Sequence, residues 1–213
     1  MPPIRAFVWG VPALIYVLFW LWYTPLGGPM KAAEVDALIA DMTEAGASEA
    51  QLKRMRTFFG EDDGKQFVMV NIIDMSETPE TLPATGPDAD ASALLGHYME
   101  YMYPALFARA SHPVFAGNAV NESMDLVGIE NAEVWDRGAL MRYRSRRDLY
   151  EISSNPVFND RHDYKVAALD KTIAFPVAPV LFLSDPRLLL FFVFLSIAGL
   201  VDALLRWRQT RSS

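Results

Sequence analysis

The chain has 213 residues, of which 52% are apolar, and a formal net charge of −7. It contains no cysteine, which removes disulfides, thiolate nucleophiles and thiolate metal sites. Between Thr24 and Pro186 there are 14 basic residues against 25 acidic ones, and this acidic middle argues against nucleic acid as a partner, because phosphate contacts need a basic surface.

After a short tail, residues 1–5, the run from Ala6 to Tyr23 carries no charge. Roughly 18 helical residues at ~1.5 Å each span about 27 Å, close to the hydrocarbon thickness of a bilayer. Trp20, Trp22 and Tyr23 gather at its far end, where aromatic rings favour the headgroup interface, and Pro12 is tolerable in a lipid-embedded helix. A cleaved signal peptide with Arg5 as its basic region is the competing reading. The length of the apolar run and the lack of a following A-x-A site favour an uncleaved anchor.

Residues 24–65 read as a linker and a helical hairpin. Val35, Leu38, Ile39 and Met42 keep the spacing of one helical face, and Gly46 ends that helix. Ser48 and Gln51 form a capping box for a second helix with Leu52, Met55 and Phe59 on its apolar stripe, stopped by Gly60. The acidic run Glu61-Asp62-Asp63-Gly64 lacks the alternating ligands of a calcium loop and reads as a solvated turn, so no metal is expected.

Residues 66–178 read as one domain. Gln66–Ile73 is a strand that is apolar at both parities, which calls for cover on both sheet faces. Thr78–Asp90, with three prolines and a glycine, is a loop. A helix over about Ala91–Ala110 buries Leu94, Leu95, Tyr98, Met102 and Leu106, with Pro104 inside it. Val114–Val120 and Arg137–Arg144 are the next two strands. The second of these places Ala139, Met141 and Tyr143 on one side and Leu140, Arg142 and Arg144 on the other. Ser145 caps a short helix, Asn155-Pro156 breaks it, a second piece runs from Val157 to about Leu169, and Lys171–Val177 is the fourth strand. The order β-α-β-β-α-β is the ferredoxin-like split motif, an α+β fold. Its helices cover one sheet face; the other is apolar enough to require a second copy, so a homodimer or pseudo-dimer through the sheet is expected.

A linker, residues 179–187, leads to a second apolar run, Leu188–Leu205, and a tail, residues 206–213. Asp202 lies one turn from Arg206 and can pair with it. Gly199 and Ala203 form a small-xxx-small pair suited to packing against another helix. Arg5 at one end and Arg206, Arg208 and Arg211 at the other place both termini in the cytoplasm. The acidic domain then faces the periplasm or the cell exterior. The expected partners are the lipid bilayer and other integral membrane subunits.

The strand Ala139–Arg144, the capped helix Ser145–Ile152, the Asn155-Pro156 break, the helix Val157–Leu169 and the strand Thr172–Val177 together resemble the dimeric α/β-barrel superfamily, in its uncharacterised small-domain branch. The resemblance covers about Gln66–Val177. It implies a ferredoxin-like barrel fold in a group that includes cofactor-less monooxygenases, haem-degrading enzymes and muconolactone isomerase-like proteins. It carries over no catalytic residue and no cofactor. The two apolar spans and the hairpin are additions to the usual small soluble member.

Chemistry has few candidates. Arg142 and Arg144, on one side of a strand, could clamp an anionic ligand bidentately, or could neutralise nearby acids. Asn71 and Asn118 are mid-strand polar residues that could line a cavity. His97 flanks the buried stripe beside Tyr98, while His112 and His162 stand apart from it without multi-ligand spacing. A cavity filled by Tyr98, Trp135 and Phe175 would leave no room for a ligand. The leading expectation is an accessory or assembly subunit of a membrane complex. The alternative is a small-molecule binder or cofactor-less monooxygenase-like enzyme using the barrel cavity.

Overall fold

A computed structural model describes residues 3–211. In chain order the elements are α1 (Pro3–Tyr23), α2 (Ala32–Glu44), α3 (Glu49–Gly60), β1 (Phe67–Met75), α4 (Ala91–Ala108), β2 (His112–Asn118), β3 (Arg137–Tyr143), α5 (Arg146–Ser153), α6 (Pro156–Ala167), β4 (Leu169–Val177) and α7 (Pro186–Arg211). They form two units: residues 25–179, and the two terminal segments that hold α1 and α7.

In the terminal unit, α1 and α7 are both long and apolar enough to cross a membrane, and they leave most of their apolar side chains exposed. They run antiparallel, with Tyr16 and Phe191 ring to ring at 5.8 Å. Asp202 pairs with Arg206 as its spacing predicts, and also with Arg5: Arg5 Nε lies 2.6 Å from Oδ1 and Nη2 3.0 Å from Oδ2. At the other end, Arg187 donates to Thr24 Oγ1 at 3.2 Å and lies over the Tyr23 ring. Ala198 and Asp202, one turn apart, are the buried residues of α7, whereas Gly199 has open space where a Cβ would project and Ala203 is exposed.

In the second unit, Val35, Leu38, Ile39 and Phe59 close the α2–α3 hairpin together with Met30. Ser48 and Gln51 make the reciprocal cap bonds, at 2.9 and 3.3 Å, that start α3. The turn after α3 is solvated at Glu61 and Asp63, as expected, but not at Asp62. The Asp62 side chain is only 1% exposed and accepts from the Met30 and Gly64 N–H groups at 2.8 and 3.1 Å. It ties the linker back to the hairpin. Gly64 has φ +72°, and a Cβ there would meet the Gly28 backbone at 2.9 Å, so only glycine fits.

The four strands form one antiparallel sheet in the order β2-β3-β1-β4, with Phe67 opposite Tyr143, Met69 opposite Met141 and Val70 opposite both Leu140 and Phe175. β2 begins two residues earlier than its apolar run suggests and pairs from His112 onward, with an irregularity between Pro113 and Phe115. The helix-side face packs Phe67 and Tyr143, stacked at 5.1 Å, against Tyr98, Met102, Leu106 and Ile152. Alternation along the strands puts Val68, Val70, Ile72, Leu140, Arg142, Ile173 and Phe175 on the opposite face. Val68 and Arg142 are buried there, but Phe115 is 56% and Phe175 45% exposed.

Candidate functional site

The β3–α5 junction concentrates the arginines, and the structure gives each a protein partner. Arg142 is fully buried; its Nε and Nη2 donate to Gln66 Oε1 at 2.9 and 2.7 Å, and its Nη1 donates to the Ala110 carbonyl. It staples the entry to β1 onto the α4–β2 turn. Arg144 meets Asp148 through two bonds, at 3.0 and 2.6 Å, while Asp148 also accepts from the Ser145 hydroxyl that caps α5. Arg146 donates to the Phe58 carbonyl and stands 3.6 Å from Asp62. Arg147 pairs with Glu34, and this bond, helped by the Lys31 N–H, holds the Glu34 carboxyl down at about 2. Arg146 and Arg147 therefore join α5 to the hairpin and Arg142 joins β3 to the turn before β2, while Arg144 closes the β3–α5 junction itself.

The remaining candidates do not converge. Asn71 lies on the helix-side face and donates to the Met69 and Ala139 carbonyls at 3.2 and 3.4 Å; Asn118 is exposed at the end of β2. His97 lies tilted against the Tyr164 ring, centroids 4.4 Å apart, with Arg161 3.2 Å from its Nδ1. Tyr98 is buried in the core beside Phe158 and His162, and burial pushes its hydroxyl pKa up. His112 bonds the Pro113 carbonyl at 2.9 Å. Trp135 sits under Lys171, 4.9 Å from its ring, and Phe175 is on the open sheet face, so Tyr98, Trp135 and Phe175 occupy three separate places.

Lys165 escaped the reading of the sequence. On α6, one turn past His162, its ammonium lies 5.8 Å from the Tyr98 ring, and burial lowers its pKa from the ordinary value. Burial, followed by repulsion from Lys165, also lowers His162. The signal was present as i, i+3 spacing on a helix whose other face is polar. Because the unfolded chain holds the Lys165 proton more tightly, stability rises with pH in the window below 10.5, where the folded protein loses that proton first. Lys165→Met is expected to raise the melting temperature at pH 7 by ~3 °C and to flatten its rise towards pH 10, as read by thermal denaturation across that range.

A cleft of about 890 Å³ opens on the helix side of the sheet, between α3, α5 and the β1–β4 pair. Phe58, Phe67, Met69, Leu149 and Pro176 make its floor; Lys53, Arg54, Glu61 and Lys65 stand at its mouth; no histidine or tyrosine lines it.

The strand order and the helices on one face define the class: a ferredoxin-like domain with a four-stranded antiparallel sheet. Its fold matches that of a protein of unknown function from Rhodopseudomonas palustris, with 16% identity and a TM-score of 0.50 over 64% of this chain and 96% of that one. More distant likenesses include a dimeric protein of unknown function with a ferredoxin-like fold from Bacteroides fragilis, with 8% identity and a TM-score of 0.32 over 54% of this chain and 97% of that one. Another is SnoaB, a cofactor-independent oxygenase from Streptomyces nogalater, with 11% identity and a TM-score of 0.34 over 57% of this chain and 99% of that one. No protein-family model matches the chain, and no curated protein matches it.

Proposed function

We propose that the chain is a membrane-anchored module: α1 and α7 cross the bilayer with both ends in the cytoplasm, and the ferredoxin-like domain stands outside as an accessory or assembly subunit of a membrane complex. The observation that carries this is the open sheet face. Val70, Ile72 and Leu140 are only half-buried there, and Phe115, Ile173 and Phe175 are exposed. Covering Phe115, Ile173 and Phe175 alone would contribute about 3 kcal/mol. A second copy laid sheet to sheet satisfies that face. The small pair Gly199, half-buried with open space where a Cβ would project, and Ala203, exposed, offers a seat for a helix of another subunit. Arg5 near the start of α1 and Arg206, Arg208 and Arg211 at the end of α7 support a cytoplasmic position for both termini.

The test is light scattering of the full chain in mild detergent, with identification of what co-purifies. The wild type is expected to run as a dimer with further membrane proteins attached. Phe175→Asp is expected to weaken self-association about 100-fold, since a carboxylate would be desolvated in the interface. A wild-type chain, monomer or dimer, that brings down no other membrane protein would overturn the proposal.

The cleft beside α3 favours a second reading, a small-molecule binder or a cofactor-less monooxygenase-like enzyme. The absence of histidine and tyrosine from its lining favours binding over catalysis.

A further inference from the structure

The cleft has a composition unlike the rest of the domain that holds it. Its volume lies within the range of small-molecule sites, roughly 300–1,000 Å³. Its floor is built from two sources: Phe58 on α3, and Phe67, Met69 and Pro176 on the helix-side face of the sheet, joined by Leu149 of α5. Phe58 and Phe67 stand edge to face at 5.4 Å, so α3 and β1 form one continuous apolar wall. The hairpin that contributes α3 precedes the ferredoxin-like order, so this wall exists only because the hairpin is there.

The charges at the mouth sort into matched and unmatched. Arg146 is engaged by the Phe58 carbonyl and Asp62, and Lys65 stands 3.5 Å from Asp63. Among the described residues, Lys53 and Arg54 have no carboxylate partner, and Glu61 has no basic one. Two free cations against one free carboxylate, over an apolar floor, make a positive mouth in a segment with 14 basic and 25 acidic residues. Unmatched cations beside apolar surface recognise an anion with an apolar body.

We propose that this cleft binds a single-chain anionic amphiphile, a long-chain fatty carboxylate, with its alkyl chain along Phe58, Phe67 and Met69 and its headgroup at Lys53 and Arg54. The proposal rests on the membrane reading only for the source of the ligand, the surrounding bilayer. One six-residue stretch, 180–185, joins the cleft wall at Pro179 to α7.

The experiment uses the full chain in nanodiscs of phosphatidylcholine, a photoreactive palmitate as probe, and peptide mapping of the label. Label is expected on the α3, β1 and β4 peptides, competed by palmitate far better than by hexadecanol. Lys53→Glu with Arg54→Glu, both exposed on α3, is expected to reduce that labelling about tenfold. Label confined to α1 and α7, equal competition by the alcohol, or labelling unchanged by the double substitution would each overturn the proposal. So would stronger capture of a diacyl phospholipid probe or of a protein segment. Alkaline extraction of membranes tests the anchoring separately: cleft labelling of a chain that alkali releases would sustain the site and refute the membrane reading.

Discussion

Arg142→Ala is expected to lower the melting temperature more than any other single truncation on the strands, to the point of poor expression at 37 °C. The side chain is fully buried, and its guanidinium serves Gln66 Oε1 twice and the Ala110 carbonyl once. Truncation would leave both acceptors without a donor and open a cavity in the sheet, a loss of about 3–5 kcal/mol. A domain of this size is held by about 5–15 kcal/mol in total. Arg142→Lys keeps the charge but not the fork that reaches two partners, and an intermediate loss is expected. Circular dichroism melts of the three proteins decide this; an Arg142→Ala protein that melts with the wild type would show that the staple contributes nothing. The same result governs how activity data are read, because loss of any binding in Arg142→Ala would follow from unfolding alone.

The second large effect is expected at Asp202. Its carboxylate accepts from Arg5 on α1 and from Arg206 on its own helix, and it is 5% exposed. Asp202→Ala leaves two guanidiniums facing each other at the end of an apolar helix pair, so it removes an attraction and creates a repulsion. The chain has no cysteine, so Tyr16→Cys with Phe191→Cys, at positions whose rings now touch at 5.8 Å, reports the pairing of α1 and α7 without background. A short bifunctional maleimide, which spans the gap left by the two rings, is expected to join the cysteines in the native background and to join them about tenfold less in Asp202→Ala, with recovery in Asp202→Glu. Equal cross-linking in all three would remove the clamp from the account. The same cross-link bears on α1 itself: a cleaved signal segment could not form it.

Legibility differed between kinds of feature. Ser48 with Gln51, Ser145 with Asp148, and Asn155 before Pro156 announced three helix starts, because a cap acts on N–H groups two or three residues away. The stripe Leu94, Tyr98, Met102 and Leu106 announced the buried side of α4 for the same local reason. The start of β2 was misplaced by two residues because His112 and Pro113 carry no strand signal; pairing with β3 enlists them. Asp62 looked like a solvated acid since nothing near it in sequence reveals that Met30 donates to it across 32 residues.

The arginines on and after β3 show the same divide at the candidate site. Their spacing along the strand was plain, and both a ligand clamp and neutralisation were open. The Arg144–Asp148 pair is local, but the bonds to Phe58 and Glu34 depend on α5 folding against the hairpin, the bond to Gln66 on β3 pairing beside β1, and the lowered pKa of Lys165 on α6 packing against α4.

By itself the sequence determined the order of elements, the ferredoxin-like topology and two helices apolar enough to cross a membrane. These follow from periodicity, caps and local composition, interactions that reach about four residues. Only the tertiary structure decided that Arg5 answers Asp202 across 197 residues, that the buried Arg142 staples β3 to the α4–β2 turn, and which side chains, Phe115 and Phe175 among them, the open sheet face exposes. Those outcomes depend on which surfaces meet, and contact between distant segments is set by packing rather than by any local propensity.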